Sequence, residues 1–434
     1  MKVKKDKIKL ITLGCSKNLV DSEFILAQLK SNDIEIVDDE ESAENVIINT
    51  CGFIQEAKQE SIDTILRAVK RKEAGKLKGV FVAGCLSDRY KTDLEAEIPE
   101  VDKYFGATDK PQTVIGILNE LGVDFRKELL GERETTTPGH YAYLKISEGC
   151  DNPCSFCAIP IMRGGHRSKP LREIVTETQK LASKGVKEII VIGQDTTYWG
   201  FDTDKRRRIS EVLNEISMVS GIEWIRLMYA YPSRFPEDLI ETIAGNDKVC
   251  KYIDIPVQHV SDNVLKSMRR GITKGSLAGL LTRLRDSVPG IAIRTTLIVG
   301  YPDETEKDFD ELAQFVKEFR FDRLGVFRYS HEEGTYAASL PDRISEKEKS
   351  DRQREILEIQ KQISLERNNA MIGKTVTAII DRKQNGQYAG RSYRDAPEID
   401  QEILISGNGL RVGEFCEVNI HDAEEFDLFG SAQN

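Results

Sequence analysis

Short apolar runs alternate with amphipathic stretches along the first hundred residues. KIKLITLG (7–14), NVIINT (45–50) and GVFVAG (79–84) read as buried strands, and LVDSEFILAQLK (19–30) and ESIDTILRAVKR (60–71) carry apolar residues at helical spacing between them. This alternation predicts an α/β unit on a parallel sheet. Each strand run stops at a cysteine, in LGC, NTC and AGC. The carboxyl ends of parallel strands gather at one edge of a sheet, so Cys15, Cys51 and Cys85 are expected to converge there.

The stretch GERETTTPGH (131–140) is polar and carries Pro138 and Gly139, the marks of a linker. A second α/β series follows. Its candidate strands are YAYLKI (141–146), EIIVIG (188–193), IEWIRLMYA (222–230), KYIDIPV (251–257), IAIRTTLIV (291–299) and RLGVFRY (323–329). Helical patterns such as PLREIVTETQKLASKG and TEKDFDELAQFVKEF separate them. Eight such units close a barrel, so six predict a partial (β/α)6 barrel with its site at the C-terminal mouth of the strands. Residues 344–370 read as a long charged helix packed back on that barrel. From 371 the pattern changes to TVTAIID, QYAGRSY, EILISG and FCEVNIH, punctuated by Asn385-Gly386, Gly407, Gly409 and Gly413, and predicts a small antiparallel β-barrel. The expected domains are therefore 1–130, 141–370 and 371–434, with 131–140 between the first two.

A chain of 434 residues has room for these domains, and 39% hydrophobic with 31% charged residues excludes collagen-like and globally disordered classes. No run of roughly 18 apolar residues occurs, and MKVKKDKIKLITLGC lacks the features of a cleaved leader, so a cytoplasmic protein away from the membrane is expected. A formal charge of -10 argues against a chain that grips nucleic acid along its whole surface. In such a compartment eight cysteines point to metal or catalysis rather than to disulfides. Three of them, Cys150, Cys154 and Cys157, form a tight Cys-x3-Cys-x2-Cys group a few residues past the first strand of the second series.

Three thiolates can hold three irons of a [4Fe-4S] cluster and leave the fourth open to a ligand, and one loop of this spacing can wrap the cube, with Pro153 and Phe156 stiffening and covering it. A structural zinc site is the alternative, although such sites normally close four ligands. The string GCDNPCSFCAIPIMRG (149–164) resembles the cofactor loop of the radical S-adenosylmethionine superfamily. The resemblance implies that the open iron chelates S-adenosylmethionine, which is cleaved to a 5'-deoxyadenosyl radical that abstracts hydrogen. It also implies that Phe156, Gly193, Gln194 and Asp195 bind this cofactor.

The strings LGCSKNLVDSE (13–23), NTCGFIQEA (49–57) and AGC (83–85), with all three domains in order, are similar to the methylthiotransferase family. In that family Cys15, Cys51 and Cys85 would bind a second [4Fe-4S] cluster concerned with sulfur, and the C-terminal barrel would be a TRAM domain contacting substrate. The family has a branch acting on an adenosine of transfer RNA and a branch acting on an aspartate of small-subunit ribosomal protein twelve. GQDTTYWG (193–200), RLMYAYPSRFPEDLI (226–240) and GRSYRDAPEID (390–400) resemble the second. Residues 371–434 carry six basic and eleven acidic side chains, a balance of -5 that suits a basic protein better than RNA. The expected activity is methylthiolation of the aspartate β-carbon, drawing electrons from a flavodoxin or ferredoxin, at two clusters beside a shared cavity between the first two domains. Transfer-RNA methylthiolation and a zinc-stabilised RNA-binding module remain the alternatives.

Other positions carry two readings each. IVGYPDET (298–305) resembles the superfamily's fifth-strand motif, with Asp303 where glycine is usual. Gln258 and His259 could face the cofactor or serve structure. Arg163 and Arg167 could orient a substrate carboxylate or form ordinary ion pairs. Cys250 and Cys416 are expected to be small core residues.

Overall fold

The computed structural model describes residues 6–107, 110–127, 132–384 and 386–433, so the first five residues, Gly131 and Asn385 of the expected turn lie outside it. Its first sheet comprises β1 (Lys7–Thr12), β2 (Glu35–Ile36), β3 (Asn45–Thr50), β4 (Gly79–Gly84) and β5 (Lys103–Tyr104), ordered β2-β1-β3-β4-β5. All pairs are parallel. β3 and β4 are buried at every position because helices cover both faces, which explains their unbroken apolar runs. Thr12 stands opposite Asn49, and Thr50 opposite Gly84, so β1, β3 and β4 end side by side.

The second sheet holds β6 (Tyr141–Lys145), β9 (Glu188–Ile192), β10 (Trp224–Leu227), β11 (Val249–Asp254), β12 (Ala292–Val299) and β13 (Arg323–Arg328), while β7 (Ser147–Glu148) and β8 (Arg167–Ser168) form a small antiparallel pair above it. The six strands lie in chain order and are all parallel. Among the described residues β6 and β13 remain edges, so the barrel is open. β10 and β11 end three residues before their apolar runs do, at Leu227 and Asp254. Tyr229, just past β10, has φ of 59°, a left-handed value that ends extended backbone and costs about 1–3 kcal/mol.

The third unit is a closed barrel of β14 (Thr375–Gln384), β15 (Gln387–Ser392), β16 (Glu402–Ser406), β17 (Phe415–Ala423) and β18 (Asp427–Ala432). The expected pattern had four strands, all antiparallel. β18 closes the barrel as a fifth, antiparallel to β17 and parallel to β16. Its sequence DLFGSA is too short and too small-residued to stand out, and Gly430 lies where an added Cβ would come within 2.3 Å of Val418.

An open barrel of six strands cannot fill its own interior. Its inner face, including Tyr141, Tyr143, Ile192, Met228 and Tyr252, is covered by Val20 from the helix Ser16–Ser31 and by Ala396 from the loop between β15 and β16. Both neighbouring domains thus supply core to the middle one. Arg133, from the stretch expected as a linker, is 3% exposed and pairs with Glu23 at 3.0 Å and Glu177 at 2.9 Å. The helix Glu346–Asn369 packs back as its pattern implied, with Ile356 and Ile363 in the barrel core and Arg352 on Glu304 at 2.7 Å. Among the described residues no helix is long and apolar enough to cross a membrane.

Candidate active site

The edge where β1, β3 and β4 end carries Cys15, Cys51 and Cys85. Gly14 has φ +88°, and a Cβ there would sit 2.9 Å from the Cys51 sulfur, so only glycine lets the two loops meet. Gly84, φ +102°, turns the chain from β4 directly into the helix Cys85–Glu97, where a Cβ would lie 2.4 Å from the Thr50 carbonyl oxygen. Buried Asn18 binds the three ends together. Its Nδ2 donates to the Leu13 and Thr50 carbonyls, both at 2.9 Å, and its Oδ1 lies 3.7 Å from the Cys85 sulfur.

The second trio wraps one loop at the mouth of the open barrel. Cys150 N–H donates to the Gly164 carbonyl at 3.1 Å and Ser155 N–H to the Met268 carbonyl at 3.1 Å. Asn152 Nδ2 donates to Asp195 Oδ2 at 2.9 Å and approaches the Cys150 sulfur at 3.5 Å. Arg270 Nη1 donates to the Cys154 sulfur at 3.2 Å, and its guanidinium stacks on Tyr231 with 4.2 Å to the ring centre. The Tyr301 hydroxyl, just past β12, reaches Ser155 Oγ at 2.9 Å.

The helix Ile159–Arg163 joins the two trios, since Cys85 packs against Ala158 and Met162. Arg163 Nε donates to the Cys85 sulfur at 3.2 Å, and its Nη1 donates to Glu148 at 2.8 Å and Asp21 at 3.0 Å. Lys145 joins Asp21 and Glu148 from below. From the first domain Lys17 reaches the Tyr229 ring, 2.9 Å from its centre.

Burial pushes the Cys85 and Cys150 thiols up to about 12 and raises those of Cys51 and Cys157. Cys15 is accessible yet closely surrounded. Desolvation opposes its ionisation, but the Lys17 and Arg163 charges and nearby N–H groups outweigh it and hold the thiol below its ordinary value. Buried thiols of this kind ionise on meeting a cation, which is the chemistry of metal ligands. Among the described residues no three His, Cys, Asp or Glu side chains stand close enough to share one ion. A single zinc needs all its ligands about 2.3 Å away, whereas a four-iron cube spreads three thiolates over three irons. Three thiolates in each set are the number such a cube takes when its fourth iron is left open.

The remaining expected residues divide. A Cβ on Gly193 would meet Ser147 Oγ at 2.7 Å. Gln194 Nε2 donates to Glu148 at 3.3 Å while its buried Oε1 has no hydrogen-bond partner. Both Asp195 oxygens are engaged, Oδ2 by Asn152 and Oδ1 by Thr197 N–H at 3.0 Å, so Asp195 braces the loop. Phe156 packs beside Met268, Tyr301 and Tyr329. Asp303 accepts from Ser267, and the neighbouring Glu304 satisfies the turn, taking the Gly300 N–H at 2.7 Å. His259 is fully buried. Burial lowers its imidazole to about 3, its Nδ1 accepts from Ser261 N–H at 3.1 Å, and its buried Nε2 has no hydrogen-bond partner. Gln258 is half-buried, with an unpartnered Oε1. Arg163 forms ion pairs, whereas Arg167 lines a surface cavity. Cys250 lies in the barrel core and Cys416 at the edge of the third barrel's core. That cavity, about 780 Å³, does lie between the first two domains, lined by Phe24, Gln28, Val114, Lys145, Glu148 and Arg167 among others. None of the six cysteines lines it, and Glu148 is its link to Arg163. Sequence reasoning passed over Asn18, Asp21, Glu148, Tyr231 and Arg270. Asn18 and Asp21 stood inside LGCSKNLVDSE, and Glu148 immediately precedes the Gly-Cys that opens the loop.

A parallel-stranded open barrel with three cysteines at its mouth is the frame of a radical S-adenosylmethionine enzyme. Residues 144–316 match the radical SAM superfamily, 7–106 match a family described as uncharacterized protein family UPF0004, and 372–432 match the TRAM domain. Ribosomal protein uS12 methylthiotransferase RimO of Christiangramia forsetii is 53% identical over 100% of this chain and 95% of its own. The protein of the same name from Cytophaga hutchinsonii is 53% identical over 98% of each chain, and that of Chloroherpeton thalassium 50% over 99% of each. The chain belongs to the RimO methylthiotransferase family. In fold it resembles the radical S-adenosylmethionine methyltransferase TsrM of Kitasatospora setae, with a TM-score of 0.57 at 14% identity over 77% of each chain.

Proposed function

We infer that this chain replaces a C–H bond on the β-carbon of an aspartate of ribosomal protein uS12 by a C–SCH3 bond, using S-adenosylmethionine and two [4Fe-4S] clusters. The observation that carries the reading is the pair of cysteine trios held on either side of the helix Ile159–Arg163. Cys150, Cys154 and Cys157 hold one cluster, and Cys15, Cys51 and Cys85 the other. When bound, these groups and S-adenosylmethionine supply the radical, the sulfur and the methyl group.

The chain's own residues do the positioning. Gln194 offers a buried carbonyl without a partner, suited to the amino group of S-adenosylmethionine, and Gly193 beside it leaves no bulk in the way. Asp195 acts one step back, fixing Asn152 and so the path of the loop between Cys150 and Cys154. Phe156 anchors the same loop to the barrel. Arg270 and Arg163 each bring one cation to one sulfur, offsetting negative charge in a dry site. The third barrel's acidic balance favours docking of a basic ribosomal protein in the cytoplasm, free or within the small subunit, and a flavodoxin or ferredoxin supplies electrons.

Anaerobically reconstituted enzyme is to be incubated with uS12 and, separately, with transfer RNA. Mass spectrometry of uS12 should gain one methylthio group on one aspartate. Methylthio-adenosine as the only product overturns the substrate, and two zinc ions with no iron or sulfide overturn the chemistry.

A further inference from the structure

Arg163 ends its helix six residues beyond Cys157, yet its guanidinium reaches Asn18, Asp21 and Cys85 of the first domain as well as Glu148 of its own. The residue is 2% exposed. Nε faces the Cys85 sulfur, Nη1 bridges Asp21 and Glu148, and Nη2 donates to Asn18, the side chain that ties the ends of β1 and β3. With Lys145 it forms a largely buried group in which two cations face two carboxylates. A guanidinium held in this way cannot swing toward a substrate without giving up its bonds to Asp21, Glu148 and Asn18. Its Nε carries the contact to the sulfur.

We propose that Arg163 is a positioning residue that pins the radical-loop helix to the first domain and sets the reduction potential of the cluster held by Cys15, Cys51 and Cys85. This rests on the reading of that trio as cluster ligands. Thiolates, cluster and an added electron together concentrate negative charge in a desolvated interface, and an N–H to sulfur bond from a cation stabilises the reduced form most. Removing the guanidinium takes away that bond and one positive charge from beside the same sulfur. Both changes lower the potential.

The test uses full-length chain with Cys150, Cys154 and Cys157 all changed to Ala, so that only the other trio can bind a cluster. Iron and sulfide are counted after anaerobic reconstitution. Dithionite then adds one electron per cluster in a mediated titration followed by electron paramagnetic resonance. Arg163→Met should lower the reduction equilibrium constant at least tenfold, equivalent to 59 mV for a one-electron couple. Arg163→Lys keeps charge but not the Nε bond and should fall between, and it carries the test if the Met variant binds no cluster. Arg270→Met, whose partner Cys154 is absent in this background, should leave the potential where it was. A full complement of iron with an unmoved potential in the Arg163 variants overturns the inference. No cluster in the parent triple variant overturns the reading beneath it, and the inference with it.

Discussion

Arg391→Met should loosen the third barrel from the second by about 3 kcal/mol. Arg391, on β15, is 1% exposed and makes four hydrogen bonds: Nε and Nη2 to Asp381 at 2.6 and 2.9 Å, Nη2 to Glu188 at 2.8 Å, and Nη1 to the Asp395 carbonyl at 3.1 Å. Glu188 begins β9 and is fully buried, so this arginine is a direct ionic tie between the two barrels. Stripping one partner from a buried pair costs about 3–5 kcal/mol. The low end applies because Glu188 keeps Arg226 at 2.8 Å and Asp381 keeps His140 at 2.8 Å. Trp224 meets Phe415 across the same contact, with ring centres 4.8 Å apart, so its fluorescence in a Trp199→Phe background reports undocking during urea titration. Glu188→Gln completes a double-mutant cycle, with an expected coupling of about 1–3 kcal/mol. A loss under about 1 kcal/mol, or strict additivity, refutes the view that this tie holds the domain in place.

The same cluster sets an acid limit. Burial opposes ionisation of Glu188 and Asp381, but Arg391 and Arg226 around Glu188, and the His140 bond with the Arg391 charge around Asp381, outweigh it and hold both carboxyls below their ordinary values. Their stabilisation is therefore complete above the unfolded range of about 4 and lost as pH falls through the lower folded values. Thermal unfolding between pH 5 and 2 should show a shallower acid limb in Glu188→Gln, and an unchanged slope would count against the assignment. His259 should remain neutral down to about 3, so its ring resonances should show no titration between pH 5 and 8. Gly84→Ala should cost more than about 1 kcal/mol and reduce iron bound at the first trio, because its φ and the 2.4 Å approach to Thr50 leave no place for a methyl group. Circular dichroism and iron assay check it, and wild-type values for both would show that the turn tolerates a side chain.

Periodicity revealed what local chemistry controls. β3 and β4 coincide with their apolar runs, the six barrel strands all lie within or beside theirs, and Thr305 opens the helix Glu306–Phe319 with a capping box written in TEKD. β18 escaped because DLFGSA has too few apolar positions to show a period of two and gains its place from neighbours on both sides. The string GRSYRDAPEID, which pointed to the ribosomal-protein branch, gave no hint that it enters another domain. In the structure Ala396 covers the open barrel's inner face, Asp395 pairs with Arg323, and Asp400 takes the Tyr252 hydroxyl at 2.8 Å.

The linear order of residues determined that Cys15, Cys51 and Cys85 follow three successive strand runs and that Cys150, Cys154 and Cys157 share one loop, since strand period and chain spacing are local properties. Only the tertiary structure decided that Arg163 lies against the Cys85 sulfur of the other trio, that Asp195 bonds Asn152 and Thr197, and that the open barrel's inner face is covered from both sides. Such choices depend on which groups must be buried together, and burial matches charges and cavities between segments far apart in the chain, a relation no window along it contains.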